Sequence, residues 1–417
     1  MTNTIFLLFL LIFIEFYSLK RYRNVLCPAV LQNIFWIFAV AGILFIPGAK
    51  DLHLRTVLLV FFGSLLFQIG FRTIPQQKIQ EIVYFPEIVL FPKAVKVTVF
   101  LLFVPFIYVI KLYIDGNYFV NATLYRALLN ANDDLHLPMA MSYINKMIQT
   151  FSLAITLIYW VANKHTNLSG QARARNLDNR VRKYVILLFI MACLCVLESP
   201  TRNGALTFFF PLVVIYLYTH NMSRKQKISI LIIAVCLFLL LFFFVSRNKY
   251  AYAYEQGNSI KDVFFGEFVS YLSGGVYSLD KVIDAHSFTR HGSNTFRFVL
   301  AIWDSFFGTH LAPDVVNEFV DDGIIYTNVF TFYDFYIRDF GILFSLFIQF
   351  IIAILHGYFF KATNNGRIGG LFFQAMFSYP LIMQFFQDQY FSLFSSWVQI
   401  LIVGFIIFGT KLYWARS

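Results

Sequence analysis

The chain has 417 residues, of which 59% are hydrophobic and 13% are charged, and its mean hydropathy is +0.67. A soluble domain usually has about 25% charged residues, so this composition excludes an ordinary soluble protein and predicts a polytopic membrane protein. The net charge of +11 would indicate a nucleic-acid partner only if the basic residues formed a patch.

Apolar segments recur along the whole chain, and a helix that spans a membrane needs roughly 20 such residues. We expect an all-α polytopic protein with about 11 transmembrane helices, within a range of roughly 10–13. Glu15 in the first segment is costly in lipid, so it should face the helix bundle or lie near an interface. The predicted spans are Thr4–Leu19, Ala29–Pro47, Thr56–Phe71, Val95–Ile114, Tyr143–Ala162, Tyr184–Leu197, Ala205–Thr219, Ile228–Val245, Gly341–Phe360, Ile368–Phe386 and Phe391–Lys411.

Alternate loops differ in charge, and the difference predicts the orientation. One set of loops holds most of the basic residues and few acids, beginning with Lys20, Arg21 and Arg23. Because short basic loops face the cytoplasm, we predict that the N-terminus lies on the outer side of the membrane and the C-terminus on the cytoplasmic side. The positive charge is then an orientation signal, and no basic patch remains for nucleic acid. The basic stretch Lys164–Lys183 is expected to be a solvated cytoplasmic linker.

Two loops on the predicted outer face are long, 115–142 and 246–340. Loops as long as the second are usually functional or disordered. Apolar residues repeat at helical spacing from Val263 to Val276 and from Phe296 to Phe307. We expect two amphipathic helices, which lie on the membrane interface or simply cover the bundle. No separate soluble domain is indicated, so 1–417 is predicted to be one transmembrane domain.

The stretch from Glu198 to Gly204 separates two short apolar segments and contains Pro200 and Arg202. An Arg near the bilayer centre costs roughly 2.5–3.5 kcal/mol on insertion scales, so we predict a tight turn at the outer membrane face. One interpretation is a polar turn between two helices. The other is an anion site, because Arg is always charged and can bind phosphate through two parallel hydrogen bonds.

More charged residues follow on the same predicted face. The candidate anion ligands are Arg202, Arg247, Arg290, Arg297 and Arg338, and the candidate proton acceptors are Glu198, His291, Asp334 and Asp339. One helical stripe, which either lines a wet cavity or bonds neighbouring helices, holds Asn328, Thr331, Asp334 or Phe335, and Arg338. The acidic pairs at 133–134 and 321–322 are more typical of solvated loops, so we assign no metal. No Gly-rich phosphate loop or nucleophile elbow occurs in the sequence.

With these features the chain resembles the O-antigen polymerase (Wzy-type, oligosaccharide repeat-unit polymerase) family. The resemblance covers most of the chain, through its many spans and its long late loop. Its motifs are Ser199–Arg202 at the start of a short helix, Tyr271–Gly275, and Thr327–Thr331 running on to Asp339–Gly341. The Ser-x-x-Arg turn is also similar to that of the O-antigen ligases.

The resemblance implies a glycosyltransferase of the bacterial inner membrane with the polytopic architecture of enzymes that use lipid-linked donors (GT-C-like). Its partners would be donor and acceptor glycans on undecaprenyl diphosphate, together with membrane lipids, and a chain-length regulator is left open. Arg202 and one or two further arginines would neutralise the leaving diphosphate, His291 or Asp334 would accept the hydroxyl proton, and no cofactor is implied. The alternatives are an O-antigen ligase and a flippase or transporter for the lipid-linked unit.

Overall fold

The computed structural model of the protein describes a chain that is helical over most of its length. The described residues are 1–46, 48–75, 92–115, 139–169, 172–198, 202–220, 222–245, 260–284, 291–313, 320–321 and 326–409. The chain forms two compact units, of which the first comprises Met1–Glu81, Lys249–Lys361 and Phe377–Ser395, and the second Ile82–Asn248, Ala362–Met376 and Ser396–Ser417. The single domain over 1–417 stays a prediction, because two compact units can belong to one helix bundle.

The first unit is built from helices near both ends of the chain. They are α1 (Thr2–Tyr22), α2 (Pro28–Ile43), α3 (Leu54–Thr73), α9 (Ile260–Asp284), α10 (Arg297–Phe307), α11 (Phe332–Phe340) and most of α12 (Ile342–Asn364). A small antiparallel pair, β1 (Val320–Asp321) and β2 (Tyr326–Thr327), precedes α11, with Val320 opposite Thr327.

The second unit contains the middle of the chain. Its helices are α4 (Pro92–Asp115), α5 (Met139–Ser169), α6 (Ala172–Glu198), α7 (Arg202–Thr219), α8 (Arg224–Val245), the first part of α13 (Ile368–Ile382) and α14 (Phe394–Gly404), which continues as a π-helix over Phe405–Gly409. Polar side chains bond its helices to one another. The Gln374 amide donates to the Tyr218 hydroxyl at 3.0 Å, and the Lys146 ammonium donates to the Ser396 hydroxyl at 2.7 Å.

Each predicted span coincides with a helix over most of its length. Three of the described helices, α1, α3 and α12, are long and apolar enough to cross a membrane, and the helices at Pro28–Ile43, Gly204–Thr219, Ile368–Ile382 and Phe394–Gly409 are apolar but shorter. The protein is therefore helical, with several helices suited to a membrane. The number of crossings and the lipid-linked-donor architecture stay predictions.

The surface of α1 has the polarity of a helix in lipid. Phe9, Phe13 and Phe16 share one face and are each 66% exposed. Glu15 is buried, and its Oε2 lies 3.3 Å from the side-chain nitrogen of Asn33 in α2. A helix that exposes aromatic rings and buries its carboxyl group is suited to apolar surroundings. The prediction that Glu15 faces the bundle is confirmed.

Helix α9 packs against α2 and α3 and is not a peripheral interface helix. Val276 and Leu279 are fully buried in this packing. The backbones come close, because a Cβ atom on Gly275 would lie 2.4 Å from the carbonyl oxygen of Phe385. Small residues allow such close packing of helices in membranes. The stretch from Val263 to Val276 thus forms the predicted helix, but it covers the bundle.

The stretch Lys164–Lys183 is mostly helical and not the predicted loop, whereas its solvated, cytoplasmic position stays a prediction. Helix α5 runs on to Ser169 and α6 already begins at Ala172. The stretch contains Ala, Arg and Leu residues, which favour helix even outside the membrane. Both helices therefore extend beyond their apolar parts.

Candidate functional site

Helix α11 carries two predicted site residues, Asp334 in its first turn and Arg338 in its last turn. This order of charges is favourable, because an acid near the start and a base near the end of a helix complement the helix dipole. The start of the helix is fixed by the Phe332 amide, which donates to the Gln384 carbonyl at 2.8 Å. Its end is fixed by Gly341, whose φ of +90° is a conformation that side-chain-bearing residues rarely adopt.

Arg338 and Asp334 form an ion pair one turn apart on α11. Arg338 donates from Nε to Asp334 Oδ1 at 2.8 Å, and its guanidinium lies 5.2 Å from the centre of the Phe330 ring. The Asp334 side chain is 1% exposed, whereas that of Arg338 is 24% exposed. An arginine held through Nε can still direct its two terminal nitrogens at an anion. The pairing favours a positioning role for Asp334 over its predicted role as proton acceptor.

Asp339 joins α11 to the turn at 291–296. Its Oδ1 accepts from the Asn294 side chain at 2.9 Å, and its Oδ2 accepts from the Thr295 amide and hydroxyl, each at 2.7 Å. The carboxylate is buried, so these bonds offset the cost of removing it from water. We call Asp339, Asn294 and Thr295 the α11 clamp. Because all of its acceptor capacity faces the turn, Asp339 is suited to structure and not to proton transfer.

His291 opens the turn that the α11 clamp holds. The residue has a φ of +42° and an exposed side chain. Positive φ is uncommon outside glycine, although His tolerates it better than most residues. The next residue, Gly292, also has positive φ, and the Phe296 amide closes the turn by donating to its carbonyl at 2.9 Å. His291 is thus presented on a fixed turn, and its catalytic role stays a prediction.

Arg297 begins α10 and donates from Nε to the Pro313 carbonyl at 2.7 Å. Asp304 fixes the same returning segment by accepting from the Leu311 amide at 2.9 Å, the Thr309 hydroxyl at 2.5 Å and the Ala312 amide at 2.8 Å. The hydrogen bond from the Leu311 amide, together with that from Thr309, lowers the pKa of Asp304. Arg297 therefore has a structural function, and its role as an anion ligand stays a prediction.

Helix α10 is the amphipathic helix predicted between Phe296 and Phe307. None of its residues is buried, and Val299, Trp303, Phe306 and Phe307 are at least half exposed. Trp303 packs on Phe307 with their ring centres 4.2 Å apart. An exposed aromatic face of this kind is typical of a helix at a membrane interface.

The predicted polar stripe is only partly present. Helix α11 begins at Phe332, so Asn328 and Thr331 lie before it and only Asp334 and Arg338 share its face. Strand β2 and Thr331 are extended, and no helix forms between them, so a helical spacing does not apply there.

The remaining predicted site residues belong to the second unit or lie outside the described residues. Helix α6 ends at Glu198 and α7 begins at Arg202, so two helices flank the predicted turn, and its residues 199–201 lie outside the described part of the chain. The side chains of Glu198 and Arg202 also lie outside it, as do Arg247 and Arg290 entirely. Backbone amides at the start of a helix favour an anion, which suits the position of Arg202.

A buried polar group beneath α11 escaped the sequence reasoning. Tyr336 donates its hydroxyl proton to Asp388 at 2.9 Å, and Asp388 also accepts from the amides of Tyr390, Phe391 and Ser392. Burial raises the pKa of Asp388, and the hydrogen bonds counter that shift in part. Asp388 lies in a connection between apolar helices, and no local spacing links it to Tyr336.

A second pair that sequence reasoning missed is His53 with Asp280, which lie 227 residues apart in the chain. His53 precedes α3 and Asp280 lies on α9, and their side chains meet at 2.7 Å.

The first unit thus carries Arg338, His291 and Arg297 on elements that the α11 clamp connects. Helix α10, with its exposed aromatic face, begins at Arg297. Such a group can bind an anion and move a proton. The chain matches no protein-family model, no curated protein and no solved structure.

Proposed function

We propose that the protein is an O-antigen polymerase of the bacterial inner membrane. It transfers a growing glycan from undecaprenyl diphosphate to the terminal hydroxyl of an incoming lipid-linked repeat unit at the periplasmic face. The proposal takes the amino terminus as periplasmic and the carboxyl terminus as cytoplasmic, from the distribution of basic residues.

The observation that carries the proposal is the way α11 presents Arg338. A buried Asp334 holds its Nε, the Phe330 ring supports its guanidinium, and about a quarter of the side chain is left exposed. A charged group that is fixed in advance stabilises developing charge without reorganising during the reaction. A leaving diphosphate develops such charge, and a polyprenyl donor suits a protein whose helices expose aromatic faces.

In this mechanism the acceptor hydroxyl attacks the anomeric carbon of the donor sugar while the bond to the diphosphate breaks. Arg338 binds the diphosphate oxygens, with Arg290 and Arg297 as further candidates in the same unit. The roles of Arg202 and Arg247 in anion binding stay predictions from the sequence. A proton acceptor takes the hydroxyl proton. Of the sequence candidates His291, Asp334 and Glu198, His291 has an exposed side chain in the first unit, whereas Asp334 holds Arg338. Neither a cofactor nor a protein nucleophile takes part, because the diphosphate is already a good leaving group.

The test is a host strain that lacks the gene and is complemented with variants at equal protein level. Arg338→Ala and Arg202→Ala should each lower the polymerisation rate by about 10²–10³ and shorten the glycan ladders on gels. Lys in either position should restore activity only in part, because it loses the forked geometry. Arg224→Ala is the matched control, since Arg224 is an exposed residue at the start of α8. Normal ladders in both Ala variants would refute the proposal.

A transporter for the lipid-linked unit is the second candidate, because polar groups are buried along α12. Its Gln349 exchanges two hydrogen bonds with Gln384, and its His356 bonds the Tyr390 hydroxyl at 2.8 Å. Polar groups inside membrane helices often mark a transport pathway. Loss of a polymerase leaves surface glycans of a single repeat unit, loss of a flippase leaves no surface glycan, and loss of a ligase leaves long glycans on the carrier lipid.

A further inference from the structure

His53 and Asp280 form a dyad with the geometry of an oriented proton acceptor. Asp280 Oδ2 lies 2.7 Å from His53 Nδ1, while Oδ1 accepts from the His53 amide at 2.9 Å and from the Thr56 hydroxyl. The Asp280 side chain is 11% exposed and the His53 ring is 58% exposed. A buried carboxylate therefore holds an imidazole that faces outward.

This arrangement fixes the chemistry of the imidazole ring. A carboxylate accepts a hydrogen bond at Nδ1, so the neutral ring carries its proton there and Nε2 keeps the lone pair. The same carboxylate stabilises the imidazolium that forms when Nε2 takes a proton, as in other acid–histidine pairs. Capping α3 would require only the backbone amide of His53. Capping therefore does not explain the additional contact between His53 Nδ1 and Asp280 Oδ2.

The dyad lies on the helix that also touches the segment leading to α11. Helix α9 packs against β2 and α11, and a Cβ atom on Gly274 would lie 3.3 Å from the Thr327 hydroxyl. Asp280 is six residues further along α9, roughly 9 Å at 1.5 Å per residue. Helix α9 therefore joins the dyad to the segment that leads to α11 within the first unit.

We propose that His53, oriented by Asp280, accepts the proton of the acceptor hydroxyl. This inference rests on the proposed function. It names a proton acceptor that was not among the candidates from the sequence. The hydroxyl proton passes to Nε2 as the oxygen bonds to the anomeric carbon of the donor sugar. The bond from that carbon to the diphosphate breaks, and undecaprenyl diphosphate leaves with the electron pair. The imidazolium then returns its proton to water.

The test uses the full-length protein in nanodiscs with undecaprenyl-diphosphate-linked repeat units extracted from the host. His53→Asn is the decisive variant, because the side-chain nitrogen of Asn can replace Nδ1 as the donor to Asp280 but cannot accept a proton. We expect kcat to fall by about 10²–10⁴ while KM changes by less than about threefold. His310→Asn, in an exposed histidine after α10, is the matched control and should keep kcat within about twofold.

A second variant separates chemistry from folding. His53→Ala should regain activity when imidazole is added, because the free base can occupy the space of the missing ring. Wild-type turnover in His53→Asn, or an equal loss in His53→Ala with and without imidazole, would overturn the role of the dyad while leaving the polymerase in place. An inactive wild-type protein that also fails to lengthen glycans in the host would instead overturn the proposed function, and the dyad's role with it.

Discussion

Replacing Asp339 by Asn tests the clamp that connects the 291–296 turn to α11. In the wild type, Oδ2 accepts from both the amide and the hydroxyl of Thr295, and Oδ1 accepts from Asn294. The Asn side chain keeps one acceptor and directs an NH₂ group at donors. The Thr295 hydroxyl can rotate to accept, but one buried N–H then loses its partner and the remaining bonds lose their charge. Such changes cost about 1–3 kcal/mol each, so we expect the clamp to weaken by about 2–4 kcal/mol.

Hydrogen exchange of the 291–296 amides in nanodiscs measures this change directly, because a local opening sets the exchange rate. A loss of about 2–4 kcal/mol corresponds to exchange that is about 30- to 900-fold faster. Asp304→Asn is the matched control, since Asp304 also accepts from a hydroxyl and from backbone amides but is only partly buried. Water can replace its bonds, so the amides after α10 should change much less. Equal effects in the two variants would refute the argument from burial.

Three further results are expected. Gly63→Ala should destabilise the protein by about 1–3 kcal/mol, because its Cβ atom would lie 1.9 Å from the Tyr333 hydroxyl oxygen. Tyr333→Phe in the same chain should restore only part of the thermal midpoint, because the ring carbon Cζ would still lie 2.7 Å from the added Cβ. Because the pKa of Asp304 is lowered in the folded protein, its carboxylate stabilises the segment after α10 at any pH above the pKa of an unfolded Asp, about 3.9. The segment should therefore open as the pH falls below that value, and Trp303 fluorescence should report the opening. Asp304→Asn should abolish this pH dependence. Brominated lipids should quench the fluorescence of Trp303, which is obtained as the difference between the wild type and Trp303→Phe. Phe306→Glu should weaken this quenching, because it places a charge on the most exposed part of the apolar face.

The sequence predicts the helices well because each is a long apolar run with a polar boundary. The helices that end at Glu198 and begin at Arg202 contain such runs. The helix Arg297–Phe307 follows instead from apolar residues that repeat at helical spacing. The ion pair between Asp334 and Arg338 also follows from local spacing, since residues four apart face each other on a helix.

The rest of the site could not be predicted, because it depends on contacts between distant residues. Asp339 bonds Thr295 across 44 positions, and Asp280 bonds His53 across 227 positions. Asp339 belongs to the stretch Asp339–Gly341 that carries the resemblance, but nothing in the sequence pairs it with Thr295. Asp280 belongs to no motif and looks in the sequence like an ordinary charge in a long loop. A spacing pattern shows only which side chains share one face of a helix or strand. Whether a carboxylate is buried depends on which other element packs over it.

The two amides that pair Gln349 with Gln384, at 3.0 and 3.1 Å, give the first unit a joint that responds to hydration. In a dry bilayer interior an amide that leaves its partner finds no substitute, so separation is costly. Where water penetrates, each amide exchanges one partner for another at little net cost. A thinner or wetter bilayer should therefore loosen this joint selectively, while contacts between purely aliphatic side chains stay as they are.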